Sequence, residues 1–298
     1  MTERLHARLS AEDVIKIKQA IAHEPLLAAS YVAAPDERVR LQMTLAYGIW
    51  LGQAGVVSKT GLPIPQPPED VHMMAHGPLA AAGGLYEADM VACALASSGG
   101  EMNDVRHALD FGCSSGRVVR VLKAAYPDIA WQACDPNAPA IAWASQHLPG
   151  IEFFMSEDEP PLPLIDASLD LVYAISIWSH FAPDLGLAWF DEMRRILRPG
   201  GCLVCTTHGL TSVAYYAEHE QRTLEQSQEI ADALFRRGCW YAPEFGEEGD
   251  WGVVNPEWGT SFISPEWLLA QLCPRWRVLE FAPGRNQDNQ DVYVLQRV

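Results

Sequence analysis

The segment from about residue 105 to 207 alternates short apolar runs with longer stretches of helical character. We predict strands near 106–111, 129–134, 151–154, 170–175 and 201–207. Helices are predicted near 116–125, 138–147 and 184–197. Strands and helices that alternate in this way form a mostly parallel sheet with helices on both faces. This alternation restricts the possible folds more than any other feature of the chain.

The segments on either side of this alternation have a different character. Residues 1 to about 100 are predicted to be mostly helical. A capping box lies at Ser10 to Asp13, apolar residues recur at helical spacing from Val14 to Val32, and a small-residue helix covers about 85–97. A long insertion rich in Tyr, Trp and Phe, about 211–262, is interpreted as a cap. Two β-like runs, 276–281 and 291–296, are expected to form a hairpin around a Pro283-Gly284 turn.

A glycine-rich turn follows the first predicted strand. Gly112 and Gly116 have no Cβ, so the backbone can turn tightly there and approach a ligand closely. The next helix would point unpaired N–H groups at the same place. Asp135 closes the second predicted strand, where a carboxylate can accept hydrogen bonds from ribose hydroxyls. This unit predicts a nucleoside cofactor and leaves nicotinamide and S-adenosylmethionine both open.

Composition limits the other possibilities. The 298 residues are 49% apolar and 20% charged, as in ordinary globular proteins, and the net charge of −17 argues against nucleic-acid and anionic-membrane partners. We find neither a signal-peptide core at the N-terminus nor a run of about 20 apolar residues that could span a membrane. The seven cysteines are irregularly spaced, which predicts reduced thiols and a cytoplasmic location. Cys202 and Cys205 are expected to pack in the core, and no metal site is predicted.

Three further motifs carry a family resemblance. The glycine-rich turn begins Asp110-Phe111-Gly112-Cys113, Leu162-Pro163-Leu164 precedes a buried strand, and Arg198-Pro199-Gly200-Gly201 ends a basic helix. With these motifs, residues from about 105 to 298 resemble the class I S-adenosylmethionine-dependent methyltransferases. The glycine-rich turn, together with the segments 160–163, 176–181, 206–209 and 290–295, is similar more narrowly to a bacterial subgroup of the type 11 and type 25 domains. The resemblance implies a Rossmann-like, seven-stranded, mostly parallel sheet with a C-terminal antiparallel hairpin. The chain would then comprise a helical extension (1–100) and a methyltransferase domain (101–298) with its inserted cap.

The resemblance also implies roles for individual residues. The loop that holds the cofactor would comprise Asp110, Gly112, Cys113, Ser114 and Gly116, with Ser114 standing where a glycine is usual. The ribose would be held by Asp135, and the adenine would be bordered by Pro136 or Asn137 and faced by Asp158. The methionine part would pass near Ile175 and Ser176. S-adenosylhomocysteine would be the product.

Two histidines are candidates for the general base. His180 and His208 each follow a predicted strand at its carboxyl end, where ligands of such sheets bind, and histidine titrates near neutral pH. The structural alternatives are that His180 caps a helix or packs against the cofactor, and that His208 orders a turn.

The sequence therefore predicts metal-independent methyl transfer to an oxygen or nitrogen of a small molecule or glycan. Two alternatives are a nicotinamide-dependent oxidoreductase and a non-catalytic protein that binds S-adenosylmethionine. The oligomeric state is not predicted.

Overall fold

The predicted parallel sheet is present in the computed structural model, which describes residues 1–71, 76–245, 254–255 and 257–298. In these residues the strands are β1 (His107–Phe111), β2 (Ala130–Asp135), β3 (Ile151–Met155), β4 (Leu169–Ala174), β5 (Leu197–Thr207), β6 (Cys239–Ala242), β7 (Thr260–Ile263), β8 (Trp276–Asn286) and β9 (Gln290–Arg297). The helices are α1 (Thr2–His6), α2 (Ala11–Ala22), α3 (Pro25–Val32), α4 (Glu37–Trp50), α5 (Ala54–Thr60), α6 (Leu85–Ser97), α7 (Val119–Ala125), α8 (Ala138–His147), α9 (Pro183–Ile196), α10 (Leu210–Glu218), α11 (Leu224–Arg237) and α12 (Pro265–Leu272).

The main sheet has seven strands in the order β3-β2-β1-β4-β5-β9-β8. The strands β1 to β5 are parallel, and β9 lies antiparallel between β5 and β8. The sequence-based prediction of the fold class is confirmed. The strands β2 and β3 extend the sheet on one side of β1, and β4 and β5 extend it on the other side. The direction of strand addition therefore changes between β1 and β4. Such a switch point opens a crevice at the carboxyl ends of the strands.

Apolar side chains cover both faces of the sheet. On one face, residues of α1, α2, α4, α6 and α7 share a continuous core with sheet residues such as Tyr173 and Val204. On the other face, α9 and α12 pack over a second core that contains Trp178, Trp189 and Trp276, each at most 1% exposed. The division of the chain at about residue 100 stays a prediction.

Cys202 belongs to the first core and Cys205 to the second. Residues three apart on a strand point to opposite faces, which explains this placement. Both thiols are buried.

Three local predictions need correction. The capping box at Ser10 and Asp13 is confirmed, but the helical pattern after it breaks into α2 and α3, since Pro25 begins a new helix. The helix after the glycine-rich turn begins at Val119 rather than 116, because Gly116 has φ +79°, outside the helical region. The third correction concerns the C-terminal hairpin.

The turn of that hairpin lies at 287–289 and not at Pro283-Gly284. Gly284 has φ +64° and lies within β8, where the pairing register with β9 shifts between Ala282 and Asn286. The backbone N–H of Gly284 donates to Asp291 Oδ1 over 2.9 Å. The Pro-Gly pair therefore forms a bulge that is held by a carboxylate, and the hairpin continues beyond it.

Over the four described ranges of the chain, we find no helix whose length and apolar character would let it cross a membrane.

Candidate active site

A cleft lies at the carboxyl ends of β1 to β4, with a volume of about 690 Å³ that includes open solvent at its mouth. Its described lining residues are Phe111, Gly112, Ser114, Asp135, Pro136, Ser156, Glu157, Ile175, Ser176, Ile177, His180, Trp189 and Trp258. Seven of the predicted site residues are in this list: Gly112, Ser114, Asp135, Pro136, Ile175, Ser176 and His180. The parallel strands bring them together because each follows or ends a strand at the same edge.

The turn after β1 holds its shape through backbone contacts. The N–H groups of Gly112 and Cys113 both donate to the carbonyl of Cys134, over 2.9 and 3.0 Å. Gly112 has φ +78°, and a Cβ there would lie 2.1 Å from Cδ1 of Ile177. Ser114 has φ +50°, the left-handed region that favours glycine. The turn therefore explains why glycine is usual at position 114, and shows that serine adopts the same conformation.

Asp135 joins two loops at the base of the cleft. Its Oδ2 accepts a hydrogen bond from the Ser114 N–H over 2.7 Å, and its Oδ1 accepts one from the Asn137 N–H over 2.9 Å. Burial raises the pKa of Asp135, and the two amide donors oppose that shift. Each carboxylate oxygen has two lone pairs, so each can accept a further bond from a ligand hydroxyl.

Five predicted cofactor residues lie outside the lining. Asp110 is 3% exposed, and burial raises the pKa of its carboxyl to about 7. Cys113 and Asn137 are also buried, and the Asn137 side chain caps α8 through the Ala140 N–H. A Cβ on Gly116 would lie 2.7 Å from Leu148, so its glycine serves packing.

The fifth is Asp158, which is half-buried outside the cleft wall. Ser156 and Glu157 line the cleft in its stead. They directly follow β3, and the rule that ligands bind at the carboxyl ends of strands points to them. The adenine-facing role of Asp158 stays a prediction.

A polar network supports the wall after β4. Ser176 has φ +62°, its N–H donates to Thr206 Oγ1 over 2.7 Å, and its hydroxyl donates to Gln290 Oε1 over 2.9 Å. The same Gln290 oxygen accepts from Thr206 Oγ1 over 2.7 Å and from Asn286 Nδ2 over 3.0 Å. Gln290 therefore fixes the turn at Ser176. The sequence reasoning missed this role because the two residues lie far apart in the chain.

His180 lies in the cleft wall and is held by Gly259, the residue before β7. The Gly259 N–H donates to the His180 carbonyl over 2.7 Å, and His180 Nδ1 lies 3.3 Å from the Gly259 carbonyl. A carbonyl only accepts, so this contact places the proton on Nδ1 and the basic lone pair on Nε2. Burial lowers the pKa of His180, which favours the neutral ring.

His208 lies behind the cleft wall and is 5% exposed. Its Nε2 is 2.9 Å from the Tyr216 hydroxyl and 3.2 Å from Gln290 Nε2, and both groups can donate to it. Burial lowers the pKa of His208 to about 3. The structure thus places His208 in the network of Gln290 and separates it from the cleft, and its predicted role as a base rests on its sequence position alone.

The aromatic residues of the predicted cap have divided roles. Tyr216 and Trp240 pack on a small apolar cluster with Phe262, whereas Trp258 lines the cleft. Glu244 forms an ion pair with Arg222 over 2.8 Å. Within the predicted cap, Glu247, Glu248, Asp250 and Trp251 lie outside the described residues.

Comparisons with known proteins agree with this geometry. Residues 108–201 match a family model described as a methyltransferase domain. This match assigns a methyltransferase domain to that part of the chain. A methyltransferase domain does not favour the nicotinamide alternative, and S-adenosylmethionine is the cofactor that the sequence resemblance implies.

Two curated relatives and one solved structure illustrate the similarity. A malonyl-[acyl-carrier protein] O-methyltransferase of Hahella chejuensis is 35% identical over 100 residues, which are 33% of this chain and 35% of that protein. A trans-aconitate 2-methyltransferase of Methylobacterium nodulans is 33% identical over 101 residues, covering 32% and 35%. The mitomycin 7-O-methyltransferase MmcR aligns with a TM-score of 0.48 and 15% identity over 74% of this chain and 56% of that one. The chain spans about a third of the length of these two curated relatives.

The cleft fits this cofactor in two respects. The carboxylate of Asp135 lies at the end of β2 and can still accept hydrogen bonds from ribose hydroxyls. Gly112 has no side chain, so the space between it and Ile177 stays open in the cleft. In the parts of the chain that the structure describes, no group of three or more His, Cys, Asp or Glu side chains is placed to hold a metal ion.

Proposed function

We propose that this protein is an S-adenosylmethionine-dependent O-methyltransferase of a small molecule or glycan. The observation that carries the proposal is the placement of Asp135 and His180 in the wall of one cleft. The first is an acceptor suited to a ribose, and the second is a neutral base. The name of one curated relative, a malonyl-[acyl-carrier protein] O-methyltransferase, supports transfer to oxygen.

The residues of the cleft would divide the binding of the cofactor between them. Asp135 would accept hydrogen bonds from the ribose hydroxyls, while Pro136, Ser156 and Glu157 would border the adenine. The backbone at Ile175 and Ser176 would pass beside the methionine part. Bound S-adenosylmethionine supplies an electrophilic methyl group on a positively charged sulfur.

The protein must then align the acceptor for an in-line displacement. Holding the reacting atoms at about 3–3.5 Å in the correct orientation supplies a large part of the acceleration. The apolar side chains of Ile177, Trp189 and Trp258 would exclude water from this part of the cleft. His180 Nε2 would accept the proton of an acceptor hydroxyl as the new bond forms.

We assign His208 a positioning role in place of a catalytic one. Its lone pair faces two donors, and it connects Gln290 to Tyr216 on α10. Through Gln290 it would hold the Ser176 turn in place beside the cofactor.

The proposal is tested by methyl transfer from tritiated S-adenosylmethionine into a deproteinised bacterial extract. We expect the label to move from the cofactor into small molecules, and His180→Gln to lower the rate by about 10²–10⁴-fold, the usual contribution of general base catalysis. His23→Gln is the matched control, because His23 is exposed at the end of α2. Tight cofactor binding without any transfer of label would instead support the non-catalytic alternative.

A further inference from the structure

Two neighbouring residues at the start of α6 make side-chain contacts with two different loops that support the cleft. These residues are Tyr86 and Glu87, and neither is among the described lining residues. The helix α6 belongs to the predicted helical extension, whereas both loops belong to the predicted methyltransferase domain. The two contacts therefore join parts of the chain that the sequence-based division separates.

Glu87 holds the segment that follows the glycine-rich turn. Its carboxylate forms an ion pair with the Arg117 guanidinium over 2.8 Å, and the two side chains are only 9% and 12% exposed. Beside this pair, the Gly84 N–H donates to the Arg117 carbonyl over 2.7 Å. A Cβ on Gly83 would lie 2.6 Å from the same carbonyl, so the two backbones are in close contact. Because Ser114 lines the cleft only three residues before Arg117, α6 fixes the end of the predicted cofactor loop.

Tyr86 holds the turn of the C-terminal hairpin. Its hydroxyl donates to the Arg285 carbonyl over 2.9 Å and accepts a hydrogen bond from the Gln287 N–H over 2.9 Å. Gln287 and Asp288 have φ +59° and +55°, in the left-handed region that favours glycine. This backbone conformation is costly for residues with a side chain, and it persists where surrounding contacts stabilise it. The Tyr86 hydroxyl supplies two such contacts.

The hairpin turn leads directly into the network that supports the wall after β4. The strand β9 begins at Gln290, whose Oε1 accepts hydrogen bonds from the hydroxyls of Ser176 and Thr206. On the other side of the turn, Asn286 Nδ2 donates to the same oxygen over 3.0 Å. A shift of the turn would therefore move the groups that hold Ser176, which lines the cleft. Tyr86 acts on this wall through Gln290.

We propose that Tyr86 and Glu87 are positioning residues for the cofactor, and that each holds one wall of its site. This inference rests on the proposed function, because it requires S-adenosylmethionine to occupy the cleft. A ligand binds more tightly when its site already has the bound shape, since less ordering is then needed on binding. The predicted helical extension therefore contributes to cofactor affinity through residues that do not line the cleft.

Two substitutions remove these contacts with little change of side-chain shape. Tyr86→Phe removes one hydroxyl from a side chain that is 38% exposed, and Glu87→Gln removes one charge. Tyr31→Phe and Glu37→Gln are the matched controls, because they remove the same groups elsewhere in the extension. Tyr31 lies 3.1 Å from a threonine hydroxyl of α4, and Glu37 pairs with an arginine of α4 over 2.8 Å.

The first test is calorimetric titration of each variant with S-adenosylhomocysteine. We expect the dissociation constant to rise about 3- to 10-fold in Tyr86→Phe and in Glu87→Gln, as for the loss of one hydrogen bond. Both controls should stay within about twofold of the wild type. Urea unfolding of the same samples should show that Tyr86→Phe changes the midpoint no more than Tyr31→Phe does. A wild-type dissociation constant in either variant would refute the positioning role of that residue.

The second test locates the change in the protein without cofactor. The amide NMR signals of Ser114 and Ser176 report on the two walls separately. We expect Glu87→Gln to shift the Ser114 signal more than the Ser176 signal, and Tyr86→Phe to do the reverse. A general loss of stability would not produce this crossed pattern. Equal shifts of both signals in each variant, or no shifts, would overturn the assignment of one wall to each residue.

The failures of the two proposals can be told apart. If the wild-type protein does not bind S-adenosylhomocysteine, the proposed function fails and the inference fails with it. If the wild type binds it and both variants bind it equally tightly, only the positioning role of α6 is wrong.

Discussion

Replacing Asp135 with alanine tests the best-defined contact of the cleft. The carboxylate accepts hydrogen bonds from two backbone amides, at Ser114 and Asn137, and by our proposal from the ribose hydroxyls. Hydrogen bonds to a charged group contribute about 1.5–3 kcal/mol. Asp135→Ala should therefore weaken S-adenosylmethionine binding by about that amount. The dissociation constant would rise roughly 10- to 150-fold.

The variant should also lose stability. The loops after β1 and β2 would no longer be joined, and their two amides would depend on water at the cleft for hydrogen bonds. We expect the free energy of unfolding to fall by about 1–3 kcal/mol. Asp135→Asn is a useful second variant, because its side-chain oxygen can accept from one amide while its NH₂ group faces the other donor.

The assay is calorimetric titration with S-adenosylmethionine, accompanied by urea unfolding of each variant. Asp128→Ala is the matched control, because Asp128 is exposed in the turn before β2 and should leave both quantities unchanged. A folded Asp135→Ala protein whose dissociation constant stays within about twofold of the wild type would refute the assignment of the ribose site.

Three further predictions concern the cleft and the polar network behind it. In Gly112→Ala, the new Cβ would lie only 2.1 Å from Ile177 Cδ1 on a backbone with φ +78°. The substitution should therefore lower the free energy of unfolding by about 1–3 kcal/mol in urea titrations. An unchanged urea midpoint would contradict the packing argument. The pKa of His208 is lowered from 6.5 to about 3, so between these pH values the unfolded state binds more protons than the native state. Unfolding should then become easier as pH falls through that window, by about 1.4 kcal/mol per pH unit from this residue, and His208→Gln should show a shallower slope. Because burial lowers the pKa of His180, kcat/KM should stay high below pH 6.5 and fall only as the ring becomes protonated; a profile centred above pH 6.5 would show that another group is the base.

Much of the fold could be predicted from the sequence because local patterns and global topology agree. Buried strands such as β4 are continuous apolar runs, and the alternation with helices implies parallel pairing. The cleft follows from the same reasoning, since the carboxyl ends of these strands meet at one edge. Asp135 and His180 were predicted in this way, and Ser176 was predicted from the family resemblance.

What could not be predicted depends on contacts between distant parts of the chain. Gln290 meets Ser176 only because β9 inserts beside β5, which places residues far apart in sequence within hydrogen-bond distance. The burial of His208 depends likewise on the packing of α10 and β7. Pro283-Gly284 reads locally as a turn, but the contact with Asp291 makes it a bulge.

The central claim is that the cleft binds S-adenosylmethionine. Calorimetric titration of the purified protein with S-adenosylmethionine, S-adenosylhomocysteine and NAD in parallel tests it most directly. We predict binding of the first two compounds with micromolar dissociation constants, about −8 kcal/mol, and no binding of NAD. Binding of NAD alone, or of none of the three compounds, would contradict this account.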